Sequence, residues 1–101
     1  EAFLQVVDFV LANVKSNPNV VFSGSVPYLM LAGNLVSGWQ MARALIVAED
    51  KLAAGEDAAF MTAKIATARF YGDHILARVA SLRDSILQGG ESVTAMPVDA
   101  F

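Results

Sequence analysis

The sequence predicts an all-α protein, an antiparallel up-and-down helical bundle of three main helices over about residues 1–16, 26–54 and 57–88, plus a short C-terminal helical segment. Three observations lead there. Apolar residues recur at spacings of three and four over long stretches, as one face of a helix requires. Asn-Pro, glycine and Gly-Gly punctuate those stretches at places where helices stop. Only a few residues separate the second stretch from the third, so the two must fold back on each other as a hairpin.

In the first helix, Glu1, Gln5, Asp8 and Lys15 share a narrow stripe, while Phe3, Leu4, Val6, Val7, Val10, Leu11 and Val14 cover most of the remaining circumference, which predicts burial on more than one side. Asn17-Pro18-Asn19 ends it, because the residue before proline is pushed out of the helical region. A loop through Ser23-Gly24-Ser25 is expected next. The second helix opens with Ser25 as N-cap and Pro27 in the first turn, where a missing N–H costs nothing, and runs to Gly55 as its C-cap. Its apolar side chains fall all around the axis, Tyr28, Leu35, Trp39 and Ile46 on one side and Met30, Met41, Ala44 and Ala48 opposite, as in a central helix. Gly33, Ser37 and Gly38 weaken helix propensity there, which predicts close approach of another backbone. In the third helix Met61, Ile65, Ala68, Ile75, Val79, Leu82 and Ile86 form the seam, with Gly72 in register. Glu56 and Asp57 favour its N-terminus and Gly89-Gly90 stops it. The tail from Glu91 to Phe101 has room for a turn or two of helix around Ser92 to Met96.

A chain of 101 residues is read as one domain, beginning without an initiator methionine as a piece excised from a longer protein would. It is 55% hydrophobic and 17% charged, more apolar than an ordinary globular mix, and that excess calls for a partner surface. The balance of ten acidic against seven basic residues opposes nucleic-acid binding, in which Lys and Arg contact phosphates. Without cysteine there is no disulfide, thiolate nucleophile or Cys-ligated zinc, and a reducing, cytoplasmic compartment is expected. The uncharged stretch between Lys15 and Arg43 is broken by Asn17, Pro18, Gly24 and Pro27, so it reads as core helix and not as a membrane span.

No constellation for chemistry emerges. His74, with Lys64, Thr67 and Arg78 on a polar flank, has no second histidine to share a metal and reads as solvated or salt-bridged. Arg69 and Asp73, four apart, have the spacing of a local ion pair. Arg43 is the lone charge in the apolar part of the second helix, lying between Val36 and Val47 on the wheel; it should find a carboxylate, helix-end carbonyls or water, with a grip on an anionic ligand such as a CoA phosphate as the minor alternative. Trp39 and Tyr28 share a face with Leu35 and read as core. No catalytic, cofactor-binding or metal-ligating residue is assigned.

Three segments nevertheless carry a likeness: Ala32-Gly33-Asn34 with Val36-Ser37-Gly38-Trp39-Gln40-Met41-Ala42; Phe60-Met61-Thr62-Ala63-Lys64-Ile65-Ala66-Thr67-Ala68-Arg69-Phe70-Tyr71; and Gly89-Gly90-Glu91-Ser92-Val93. Together they resemble the C-terminal accessory helical domain of the acyl-CoA dehydrogenase family, in the branch that includes the methylmercaptopropionyl-CoA dehydrogenases. The likeness runs from about Tyr28 to Phe101. It implies a parent enzyme that oxidises saturated acyl-CoA to trans-2-enoyl-CoA with FAD, a catalytic glutamate and the flavin lying upstream. None of Glu1, Glu49, Glu56 or Glu91 sits in a segment resembling the catalytic stretch, so the fragment itself is expected to perform no chemistry and hold no cofactor. The competing reading is a stand-alone interaction or homodimerisation module. Because the first helix is too short to cover the whole hairpin, the tip over about residues 41–70 is expected to remain open, with Ala59, Ala63, Ala66 and Phe70 as a second apolar stripe. That tip is expected to dock on the rest of the parent dehydrogenase or on a second copy in a homo-oligomer.

Overall fold

A computed structural model of the chain describes residues 1–100; Phe101, the end of the expected tail, lies outside the described residues. The regular elements are all helical: α1 (Ala2–Asn13), α2 (Pro18–Ser23), α3 (Ser25–Ala53), α4 (Ala58–His74), a 3₁₀ turn at Leu76–Arg78, α5 (Val79–Gln88), α6 (Gly90–Thr94) and a last 3₁₀ turn at Val98–Ala100. The all-α expectation holds. The chain divides into two compact units, with one boundary inside α3 after Ala32 and the other after Arg78.

The first unit comprises Glu1–Ala32 and the described residues from Val79 onward. Val6, Leu31 and Ile86 form its core, each fully buried or nearly so. α1 lies beside α5, the Arg83 guanidinium donating to Gln5 Oε1 at 3.5 Å. Its Phe3 ring meets Tyr28 in the first turn of α3, with centroids 5.9 Å apart. Burial of α1 on more than one side does not occur: Leu4, Leu11 and Val14 are exposed, and Val6 alone is buried.

The segment expected as a loop is instead the helix α2. Asn17-Pro18 does end α1, but Pro18 then occupies the start of the next helix, where its ring presets φ and its absent N–H is not missed. Ser25 does not cap α3. Its hydroxyl donates back to the Phe22 carbonyl at 2.7 Å, and the Gly24 carbonyl accepts from the Tyr28 N–H at 2.8 Å. At the other end of the unit, Gly89 follows α5 and Gly90 opens α6, which packs on α2. A Cβ on Gly90 would fall 2.6 Å from Val20 Cγ1 and 3.1 Å from Val20 Cα, so the pair of glycines serves close contact as well as helix termination.

The second unit, Gly33–Arg78, is the hairpin of α3 and α4. Its turn is a Schellman motif: the Gly55 N–H donates to the Leu52 carbonyl and the Glu56 N–H to the Lys51 carbonyl, both at 3.0 Å, with Gly55 at φ 78°. Asp57, also left-handed at φ 43°, then leads into α4. Ala48, Met61 and Ala68 are buried in the seam. Farther from the turn, Tyr71 donates its hydroxyl proton to the Asn34 carbonyl at 3.0 Å.

A single helix over 57–88 does not form. α4 stops at His74, the chain tightens into the 3₁₀ turn, where the Arg78 N–H donates to the Ile75 carbonyl at 3.0 Å, and α5 starts afresh at Val79. Leu76 in that turn explains Gly38: a Cβ there would meet Leu76 Cδ1 at 2.8 Å, so the close approach is made by a side chain and not by a backbone. Gly33, with nothing within 4 Å of its own Cβ position, has no such neighbour.

Candidate functional site

No polar or charged residue is buried among the described residues, and every buried side-chain nitrogen or oxygen there has a partner. An enzyme centre that works by perturbed acids and bases needs such groups held out of water. A flavin would likewise need fixed donors in a dry cleft for its ring atoms. The described residues do not fit that requirement, and no group of three or more His, Asp or Glu among them could hold a metal ion. Nor is any helix among them long and apolar enough to cross a membrane.

The single histidine is exposed and stacks on Phe70, four residues earlier on α4, with ring centroids 4.6 Å apart. Arg69 and Asp73 form no ion pair. The order basic then acidic along a helix opposes the macrodipole, which removes the incentive for two exposed side chains to meet. The one ion pair among the described residues joins neighbours, Arg83 and Asp84, at 3.0 Å.

One sequence-based placement on α3 is overturned: Trp39 is 59% exposed rather than core. Arg43 is exposed and takes the water alternative, with no carboxylate partner among the described residues. The Arg43 guanidinium lies over the Trp39 ring, 5.1 Å from its centroid. An i, i+4 step brings the two together, and helical side chains lean towards the N-terminus, carrying Arg43 back over Trp39. A charge stacked on an aromatic face at the water boundary avoids the burial penalty that pairing would otherwise have to offset.

The hairpin thus presents two apolar outer faces. Val36, Trp39, Ile46 and Val47 are exposed on α3; on α4 the expected stripe of Ala59, Ala63, Ala66 and Phe70 is exposed along its length. Exposed apolar side chains are not confined to the tip, since Leu4 and Leu11 on α1 and Leu29 and Met30 on α3 are open as well. Between α3 and α4, close to the turn, lies a groove of about 400 Å³ whose lining includes Val47, Ala48, Phe60 and Met61 together with Arg43, Lys51 and Lys64. Lys51 is not singled out by the sequence, and Lys64 is read from it only as part of the polar flank around His74. The available signal was their position on the two arms of one hairpin, each near the same turn.

The chain matches the family model for acetyl-CoA dehydrogenase C-terminal-like domains over residues 1–97. The chain belongs to that family. It is also similar to the 3-methylmercaptopropionyl-CoA dehydrogenase of Ruegeria pomeroyi (strain ATCC 700808 / DSM 15171 / DSS-3), at 41% identity over 92 residues. That alignment covers 91% of this chain and 16% of the relative, so the chain spans about a sixth of the relative's length. No solved structure matches. The family relationship covers the whole hairpin, so Trp39, Arg43 and the α4 stripe all lie within the dehydrogenase-type C-terminal domain.

Proposed function

We propose that the chain is a non-catalytic packing domain of a cytoplasmic, FAD-dependent acyl-CoA dehydrogenase, and that it docks on the catalytic body of that enzyme through the outer face of α4. The observation that carries this reading is the conjunction of membership in a dehydrogenase C-terminal family with an exposed, small-residue stripe that ends in Phe70. Ala59, Ala63 and Ala66 allow another helix to come close, and Phe70 supplies a large apolar anchor at the end of the stripe. In this reading the flavin and the base that removes the α-proton belong to the body of the parent enzyme.

The test places this chain behind the catalytic body of the Ruegeria relative, in place of the matched segment. Ala66→Asp with Phe70→Asp is expected to release the domain to limited proteolysis while leaving its helix content intact, and the chain alone is expected to carry no flavin spectrum and reduce no acceptor with acyl-CoA. At high concentration the chain alone should self-associate through the same face, and light scattering should report monomer for the double variant. Loss of helix content in that variant would place the stripe in the core and refute the docking reading; bound flavin in the chain alone would refute the non-catalytic one.

A further inference from the structure

The groove beside the hairpin turn has a charge pattern that the packing role does not use. Arg43, Lys51 and Lys64 line it, three of the seven basic residues of the chain, and none of its ten acidic residues does. The whole chain carries a formal charge of −3, so the local excess of positive charge runs against the overall balance. Among the described residues none of the three cations forms an ion pair with a carboxylate. Their placement follows from helix geometry. Side chains lean towards the N-terminus of their own helix, and in an antiparallel pair this inclines Lys51 and Lys64 towards the shared level of Ala48 and Met61. Both of those residues are buried and form the apolar floor of the groove. Phe60 also lines the groove and is 63% exposed.

We propose that this groove binds a nucleoside phosphate, the phosphates held by Lys51, Lys64 and Arg43 and the base laid against Phe60 and Val47. Unpaired cations supply the donors that phosphate oxygens require. An apolar floor with an aromatic ring supplies a surface for a flat ring, as it does where bases stack on protein aromatics. The groove volume of about 400 Å³ lies within the range of small-ligand pockets. Another apolar hollow of comparable size, about 350 Å³ in the first unit, is lined by Val10, Val21, Tyr28 and Ile86 among others and carries no charged residue, so shape alone does not single out the hairpin groove. Charge does. A nucleoside phosphate can arrive free or as the nucleotide end of a coenzyme A thioester; the two present the same chemistry to the groove.

The site is independent of the α4 docking face, because Phe70 and Ala66 do not line it. Amide chemical shifts of the ¹⁵N-labelled chain, titrated at low salt with ADP, coenzyme A and inorganic phosphate in separate arms, provide the test. Saturable shifts confined to Gln40–Lys51 and Phe60–Lys64 are expected with ADP or coenzyme A, whichever binds tighter naming the source. Added salt should weaken binding, and Lys51→Glu with Lys64→Glu should weaken it by more than about tenfold. Lys64→Gln alone should give a smaller loss in the same direction, which keeps the test valid if the double variant is poorly folded. Absence of saturable shifts at these amides with either nucleotide overturns the proposal. So does inorganic phosphate binding as tightly as ADP, or an acidic helical peptide that saturates the groove where ADP does not.

Discussion

The two units fill their interiors with different side chains. In the first, Val6, Leu31 and Ile86 are at most 2% exposed; in the hairpin the buried positions are Ala48, Met61 and Ala68, at 1, 8 and 7%. Fully burying a valine, leucine, isoleucine or methionine contributes about 1.5–3 kcal/mol and an alanine methyl about 0.8 kcal/mol, so three large residues in the first unit stand against Met61 and two alanines in the hairpin. The hairpin therefore has the smaller hydrophobic margin. Small seam residues let α3 and α4 come together, but two helices share only one seam, and the large apolar side chains Trp39, Ile46, Phe60 and Phe70 are left facing outward. The difference lies in the seam and not in the outer surface, because Leu4, Leu11, Phe22, Val26 and Leu29 of the first unit are exposed as well.

The comparison breaks most directly at Leu31. Truncation to alanine leaves a cavity at a position of 0% exposure and is expected to cost about 2–5 kcal/mol, read as a lower urea midpoint at unchanged slope. A cost near that of an exposed substitution would mean that the first unit does not depend on its large core residues.

The two crowded glycines sharpen the contrast at the next level. In Gly90→Ala the new methyl meets the Val20 backbone and must push α6 from α2, with an expected cost of about 1–3 kcal/mol. In Gly38→Ala the obstacle is the far end of the Leu76 side chain, which can turn away, and the gain in helix propensity offsets much of the strain. Thermal midpoints should fall clearly for Gly90→Ala and little for Gly38→Ala; equal losses would remove the distinction between a rigid and a yielding contact.

Much of this architecture could be read from residues alone, and the failures have physical causes. The hairpin turn was legible because Gly55 supplies the left-handed residue that a Schellman motif needs. The break after His74 was not, because no proline marks it and a 3₁₀ turn, at three residues per turn, preserves the spacing of three and four that the eye follows from Ile65 to Ile86. α2 was hidden for the opposite reason: Pro18 reads as a stop, yet the same ring is favoured at a helix start. Trp39 was misplaced because a helical wheel reports which residues share a face but not whether another element covers it. The same limit concealed the groove, whose cations Lys51 and Lys64 come from different helices and converge only when the hairpin closes.

Gly33 offers a change of opposite sign. It sits in the interior of α3 with nothing within 4 Å of its Cβ position, so Gly33→Ala should stabilise the chain by about 0.5–1 kcal/mol through helix propensity alone. A raised thermal midpoint checks this. A fall in the midpoint would reveal a close neighbour at this face.

The smallest expected effect, and the one that tests the outward-facing hairpin most closely, is at Arg43. In the chain alone Arg43 is exposed and its defined partner is the Trp39 ring. An exposed cation–π contact contributes about 0.5–1 kcal/mol at most, so Arg43→Gln should shift the urea midpoint only slightly, and Trp39→Phe should shift it less still. Were the guanidinium enclosed and paired, as an apolar helix surface first suggests, leaving its partner unmatched would cost about 3–5 kcal/mol. The two magnitudes do not overlap. A small loss in the isolated chain places Arg43 at the water boundary, whereas a loss of several kcal/mol would mean that the α3 face is covered in solution.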